Sequence, residues 1–317
     1  MRIAVTGATG FVGTALLRAA ALAGHETIAL TRGAGPLPAA GRVARIAGLE
    51  DAAGLQAGLA GADAVVHLAA RVHIMREESP DSLALFRRVN VDGTQAVVAA
   101  AMASGVRRFV LLSTAKVHGE GRDAPYRETD ELAPVGSYSV SKAEAEACVA
   151  AIAPSTLAWT ILRSPLVYGP GVGGNFRRLL QLAHVASRVP LPLGGIENRR
   201  SLVSLSNLAS RILTVVAGAG ATGRRYLVSD GSDVSTSDLL RALGTALGAP
   251  ARLFTVPSSA MRLALKIVGR GAEADRLFES FAVDASALRA ELGWRPPQQM
   301  AAALAETASW WRAEERR

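Results

Sequence analysis

The chain has 317 residues, half of them apolar, and a formal net charge of +8. That length allows one large α/β domain or two lobes, with apolar matter enough for a core that needs no staples. The single cysteine, Cys148, excludes an internal disulfide and fits a reducing, cytoplasmic setting. All but Lys116, Lys142 and Lys266 of the 35 basic residues are Arg, scattered and with few stacking aromatics, which argues against nucleic acid as a partner. Met1-Arg2 runs straight into a strand pattern, so no signal peptide is expected, and no apolar run is long enough to span a bilayer.

Ile3 to Val5 read as a buried parallel strand. From Phe11 the pattern is helical, through Ala15, Leu16, Ala19 and Leu22 to a stop at Gly24. Between them stand Gly7, Gly10 and Gly13, one residue longer in spacing than the usual Gly-x-Gly-x-x-Gly. A strand feeding a helix through glycines aims backbone N–H groups and the positive helix end at one point, which suits a diphosphate. A second strand, Thr27 to Leu30, ends in Thr31-Arg32-Gly33. An acidic residue there would favour NAD; Arg32 instead leans towards NADP, with NAD left open. Val43 to Ile46 and Asp63 to Leu68 read as further strands, the latter closing in His67-Leu68-Ala69-Ala70. His67 reads as a packed, hydrogen-bonded core residue, and the small residues after it permit close backbone approach to a ligand.

A polar loop, 71–80, precedes a long helix from about Asp81 to Ser104 that contains Asn90-Val91-Asp92-Gly93-Thr94. Arg107 to Leu112 form a fifth strand ending in the hydroxyls of Ser113 and Thr114, at the sheet edge where such folds bind ligands. After a loop from Ala115 to Gly136, Ser137 reads as the cap of a helix carrying Tyr138 and Lys142. At i and i+4 these lie on one face, where an ammonium would lower the pKa of a phenol. Leu157 to Arg163 form a sixth strand, and the breaker-rich loop Pro165–Gly171 is expected to bound the first lobe. Beyond it helices and strands alternate. Met261 to Val268 reads as a lobe-packing rather than a membrane-surface helix. The histidines His25, His67, His73, His118 and His184 lack ligand spacing, so no metal site is expected.

Gly7-x-x-Gly10-x-x-Gly13, His67-Leu68-Ala69-Ala70, Asn90-Val91-Asp92-Gly93-Thr94, Tyr138-x-x-x-Lys142 and Arg163-x-x-x-Val167-Tyr168-Gly169-Pro170 occur in that order, and Glu291-Leu292-Gly293-Trp294 stands near the end. Together they resemble the extended short-chain dehydrogenase/reductase family in its NAD-dependent epimerase/dehydratase, nucleotide-sugar branch. The resemblance implies an α/β fold: a Rossmann-type doubly wound parallel sheet, residues 1–165, with a smaller C-terminal α/β substrate lobe, residues 166–317, some segments interleaving. It implies Tyr138 as general acid/base, Lys142 on the nicotinamide ribose, and Thr114 as the hydroxyl of the triad. Gly7, Thr9, Gly10, Phe11, Val12, Gly13, Arg32, Leu49, Leu68, Ala69, Ala70 and Asn90 would hold the cofactor, with Pro165 near the nicotinamide. Asn175 and Arg200 would meet the diphosphate of a UDP-linked sugar, and a homodimer is implied.

The chain departs from the branch in two places. Dehydratases carry Asp-Glu after the catalytic Thr, whereas this chain has Ala115-Lys116, which argues against 4,6-dehydration. Gly48 stands where an acidic residue usually touches adenine, leaving that contact to neighbouring backbone. Lys116 and His118 are candidates to face the sugar, with solvated loop residues as the plain alternative. The first reading is 4-keto reduction of a UDP-4-keto-6-deoxy-N-acetylhexosamine. A UDP-sugar 4-epimerase, a non-catalytic NADP-sensing protein and a reductase of lipid or flavonoid-type ketones are its alternatives.

Overall fold

The computed structural model describes residues 1–316 except 34, 36, 38, 73–80, 153 and 268–276, with 219 and 263–265 described by their backbone. His73, most of the polar loop 71–80 and Val268 therefore lie outside the described residues. Ten strands are formed among the described residues: β1 Arg2–Thr6, β2 Glu26–Thr31, β3 Arg42–Arg45, β4 Ala64–His67, β5 Arg108–Thr114, β6 Ala158–Ser164, β7 Leu166–Tyr168, β8 Arg200–Ser204, β9 Arg224–Leu227 and β10 Asp233–Val234. Seven of them make a sheet in the order β3-β2-β1-β4-β5-β6-β9, and every pairing in it is parallel.

A parallel sheet needs cover on both faces, and the alternation along its strands supplies two cores. Ile3 and Val5 point into one, with Leu16 and Leu17 of α1 (Phe11–Leu22) and Leu208 and Ile212 of α7 (Leu205–Ala217). Ala4 points into the other, with Leu55 and Leu59 of α2 (Ala52–Leu59), Val97 of α4 (Gly93–Ala103) and Val149 of α5 (Gly136–Ala150). This is a Rossmann-type α/β fold. Helix α2, not expected from the sequence, is short, with Ala52, Leu55 and Leu59 on one face; Asp51 caps it, its carboxylate accepting from Gly54 N at 2.9 Å.

Between α3 (Ser82–Arg87) and α4 the backbone makes one π-helical turn, Arg88–Asp92, so the long helix expected from 81 to 104 is continuous but carries a bulge at Asn90. Such bulges re-aim side chains and mark functional positions. Helix α5 begins at Gly136 without a side-chain cap, which corrects the assignment of Ser137 as its cap.

The segment Pro165–Gly171, expected as a loop, instead contains β7, which pairs in parallel with β8, while β10 runs antiparallel to β8. Three strands thus form a second sheet, over which α6 (Gly174–Ala186), α8 (Thr236–Ala246) and the C-terminal helix Met300–Glu315 enclose a third core around Tyr168, Phe176, Leu240 and Trp311. The chain then interleaves: α7 and β9 return to the first sheet. Met261, in the helix Ser258–Ile267, packs on the third core, as a lobe-packing helix should. Among the described residues no helix is long and apolar enough to cross a membrane, and no group of His, Cys, Asp or Glu is placed to hold a metal.

Candidate active site

The register aligns the carboxyl ends of β1, β2, β4, β5 and β6 along one edge of the sheet. Between β1 and β4 the strand order reverses, which opens the crevice where such sheets take ligands. Gly7 leaves β1 with φ +68°. A Cβ there would stand 2.7 Å from Ala69 N and 2.9 Å from the Leu68 carbonyl carbon. A Cβ on Gly13 would stand 2.2 Å from the Gly7 carbonyl oxygen. Turn, helix and the 68–70 loop are thus pressed into backbone contact that no side chain could share. The α1 N-terminus has no side-chain cap and no acidic residue in its first turn, so its leading amides form an electropositive end beside exposed Thr9 and Gly10. This cradle fits the diphosphate of a dinucleotide.

His67 rivets the cradle. It is buried, and its partners fix its proton. Thr94 Oγ1 donates to Asn90 O at 2.6 Å, so it accepts from His67 Nε2 at 3.1 Å. Thr6 Oγ1 donates to Nδ1 at 2.6 Å and accepts from Ala69 N at 3.3 Å. Burial, with the nearby Lys142 charge, pushes the imidazole down to about 3. His67 is the neutral core residue its pattern suggests. Asn90, on the π-turn, binds Arg71 N at 2.7 Å and Arg71 O at 3.1 Å, and donates to Ser141 Oγ at 2.9 Å. Ser141 in turn donates to the Tyr138 carbonyl at 2.8 Å. The bulge therefore ties the loop after β4 to the helix carrying Tyr138.

Thr114 closes β5, and its hydroxyl accepts from Lys116 N at 3.2 Å. Lys142 is buried and donates to Leu112 O at 2.8 Å. Tyr138, one turn earlier, is half-buried with its ring edge against Phe86. Burial pushes the Tyr138 hydroxyl up to about 12 and the Lys142 ammonium down to about 8, the latter opposed by Glu146. The expectation that Lys142 lowers the Tyr138 pKa is corrected: desolvation governs, and at neutral pH the phenol holds its proton while the amine stays charged. His118 also differs from expectation. It is 3 % exposed, stacked on Tyr126, and bonded through Nε2 to Arg163 Nη1 at 2.9 Å, so it belongs to a buried network rather than to a sugar-facing surface. Lys116 points outward to Glu120 at 2.6 Å, a surface ion pair.

Residues 3–229 match the model of the NAD-dependent epimerase/dehydratase family. The chain belongs to this family. It is 37 % identical over 310 residues to a UDP-glucose 4-epimerase of Vibrio cholerae, covering 96 % of this chain and 94 % of that one. It is 35 % identical over 264 residues to a 2-alkyl-3-oxoalkanoate reductase of Stenotrophomonas maltophilia, covering 79 % and 77 %. Among solved structures, the dTDP-glucose 4,6-dehydratase DesIV of Streptomyces venezuelae, with NAD and TYD bound, superposes with a TM-score of 0.77 at 28 % identity over 99 % of this chain and 98 % of that one. Extended short-chain dehydrogenases/reductases of the nucleotide-sugar branch are thus this chain's kin, and it is an NAD-dependent enzyme of the epimerase/dehydratase type.

The remaining family positions are spread over both sheets. Leu49 packs on α4, where a Cβ on Gly93 would strike it at 2.6 Å. Pro165 is buried between β6 and β7, and Arg32 is exposed beyond β2. Asn175 is exposed in the first turn of α6. The loop ahead of it reaches the cradle, since a Cβ on Gly171 would meet the Phe11 ring at 3.6 Å. Arg200 sits in β8, and burial lowers its pKa. A cavity of about 450 Å³ lies elsewhere, ringed by the ion pairs Arg122–Asp130, Arg127–Asp284 and Arg199–Asp233, and includes none of these residues. Sequence reasoning assigns no role to Ser141, Glu146 or Arg163, the last of which enters only as the first residue of the Arg163-x-x-x-Val167 motif. A usable signal existed for two of them: Arg163 is a charge inside an apolar strand, and Glu146 continues the i, i+4 row of Tyr138 and Lys142.

Proposed function

We propose that the chain is a UDP-hexose 4-epimerase using NAD. The observation that carries this reading is near full-length similarity to the Vibrio cholerae UDP-glucose 4-epimerase, joined to a Thr114, Tyr138, Lys142 set followed by Ala115 and Lys116. Without a carboxylate at either of those two positions, the chain has no group there to move the protons of water loss. NAD, held by the glycine cradle, supplies reversible hydride acceptance at the sugar C4. Tyr138 takes the proton of the C4 hydroxyl and returns it, which requires its phenolate. The burial-raised pKa of the free chain therefore has to be brought down by the positive charge that the oxidised nicotinamide would bring, with Lys142 one turn away to hold its ribose. Thr114 holds the C4 oxygen. Asn175 and Arg200 bind the UDP diphosphate, for which a guanidinium offers two parallel donors.

The 4-keto reductase stands second. It is favoured by the high Tyr138 pKa, which leaves the phenol ready to protonate a reduced carbonyl. Arg32, the basis for preferring NADP, is exposed on its loop, and DesIV is described with NAD. A homodimer through the helix from 82 to 103 and α5 is part of the proposal; Leu85 and Met102 leave apolar surface on that helix. Sedimentation of the purified chain checks it. The function is tested by incubating the protein with NAD and UDP-glucose and following UDP-galactose. Tyr138→Phe is expected to lower kcat by roughly 10²- to 10⁴-fold while sparing cofactor binding. Oxidation of added NADPH by a UDP-4-ketosugar, without interconversion of hexoses, would move the assignment to the reductase.

A further inference from the structure

Three buried ionisable side chains, His118, Glu146 and Arg163, take no part in the chemistry proposed above yet lie at the junction of its two halves. Arg163 and Glu146 are each 2 % exposed. Arg163 sits in β6 opposite Ser113, one residue before Thr114. Its Nε and Nη2 donate to the Glu146 carboxylate at 2.7 to 3.2 Å. Its Nη1 donates to His118 Nε2 at 2.9 Å. Arginine has no acceptor, so His118 must be neutral there, and burial together with the Arg163 charge pushes its pKa down. Glu146 stands one turn beyond Lys142 on α5, and Lys142 one turn beyond Tyr138. His118 ends the short 3₁₀ turn that begins at Thr114.

We propose that Arg163 is a positioning residue: one guanidinium holds the Thr114 turn through His118 and the Tyr138/Lys142 helix through Glu146, and so sets the two halves of the acid–base site in register. The proposal rests on the reading of those three residues as the reacting groups. A buried ion pair is a poor device for stability, because removing two charges from water costs about what their attraction returns, and apolar replacements often do as well. What the planar fork offers is direction. It satisfies a carboxylate and an imidazole at fixed angles, which a lysine ammonium cannot do.

The experiment measures kcat, KM for UDP-glucose and NAD affinity for Arg163→Lys, His118→Phe and His118→Gln in the full chain, beside wild type and Tyr138→Phe. His118→Phe keeps a ring against Tyr126 and removes the acceptor; His118→Gln restores an acceptor. Arg163→Lys and His118→Phe should each lower kcat by up to roughly 10²-fold, as misplacement of reacting groups does, with KM and NAD affinity close to wild type. His118→Gln should recover most of the loss. If Arg163→Lys folds poorly, the two His118 variants decide. A wild-type kcat in His118→Phe, with only a lower melting temperature, overturns the proposal. Should the wild type itself turn over no UDP-hexose, the function fails and positioning is read by hydrogen exchange. Residues 114–118 and 138–146 should then lose protection together in either variant, and loosening of one segment alone, or of neither, overturns the proposal.

Discussion

Acid should weaken the fold that carries the cofactor cradle, through one proton that native His67 does not take up. In the folded chain this imidazole is neutral, with both nitrogens matched to threonine hydroxyls, and its pKa falls from 6.5 to about 3. In the unfolded chain it titrates at its ordinary value. Between those two pH values the unfolded state binds a proton that the native state refuses. Stability is therefore fully present above pH 6.5, lost as pH falls below it, and the loss ends near pH 3. Each pH unit in that window costs about 1.4 kcal/mol, so the whole window is worth on the order of 5 kcal/mol, and the upper two units about 3 kcal/mol. Urea unfolding of wild type and His67→Gln, from about pH 7 to about pH 4.5, isolates this proton, because other titrating groups are common to both chains. The wild-type curve should fall more steeply than the variant's by about the stated amount. NAD affinity of the folded chain should hold through the same window, since the native imidazole takes up no proton there and Thr6 keeps Ala69 N beside Gly7. Parallel curves through the window would falsify the assignment of His67 as a buried neutral rivet.

The glycines of the cradle should not be equivalent. Gly13→Ala drives a Cβ to 2.2 Å from a carbonyl oxygen and should cost about 1–3 kcal/mol in thermal unfolding and most of the NAD affinity. Gly10→Ala meets the same oxygen at 3.1 Å and should cost under about 1 kcal/mol; equal effects in the two melts would contradict the geometry. Arg200→Ala should weaken UDP binding by roughly 10- to 100-fold in calorimetric titration, the worth of a charge-assisted bond, while NAD binding is unchanged. Unchanged UDP affinity would remove Arg200 from the substrate site.

Local order is encoded by near neighbours, and so it is legible in one dimension. The apolar run of β1, the glycines that follow and the 3.6-residue period of α1 need only a dozen consecutive residues to be recognised. The i, i+4 pairing of Tyr138 and Lys142 needs five. His67 could be read as a core residue because the strand around it is apolar on both faces. Other features depend on partners far along the chain, and only packing reveals them. Strand β7 is three residues among breakers and exists because β8, some 35 positions on, pairs with it. The phenol's pKa is set by burial, which spacing does not report. His118 looks like a loop residue until Arg163, 45 positions away, is placed beside it in the core. Period and turn chemistry act over one or two turns of backbone, whereas burial and charge pairing act through space, between segments that meet only once the sheet has formed.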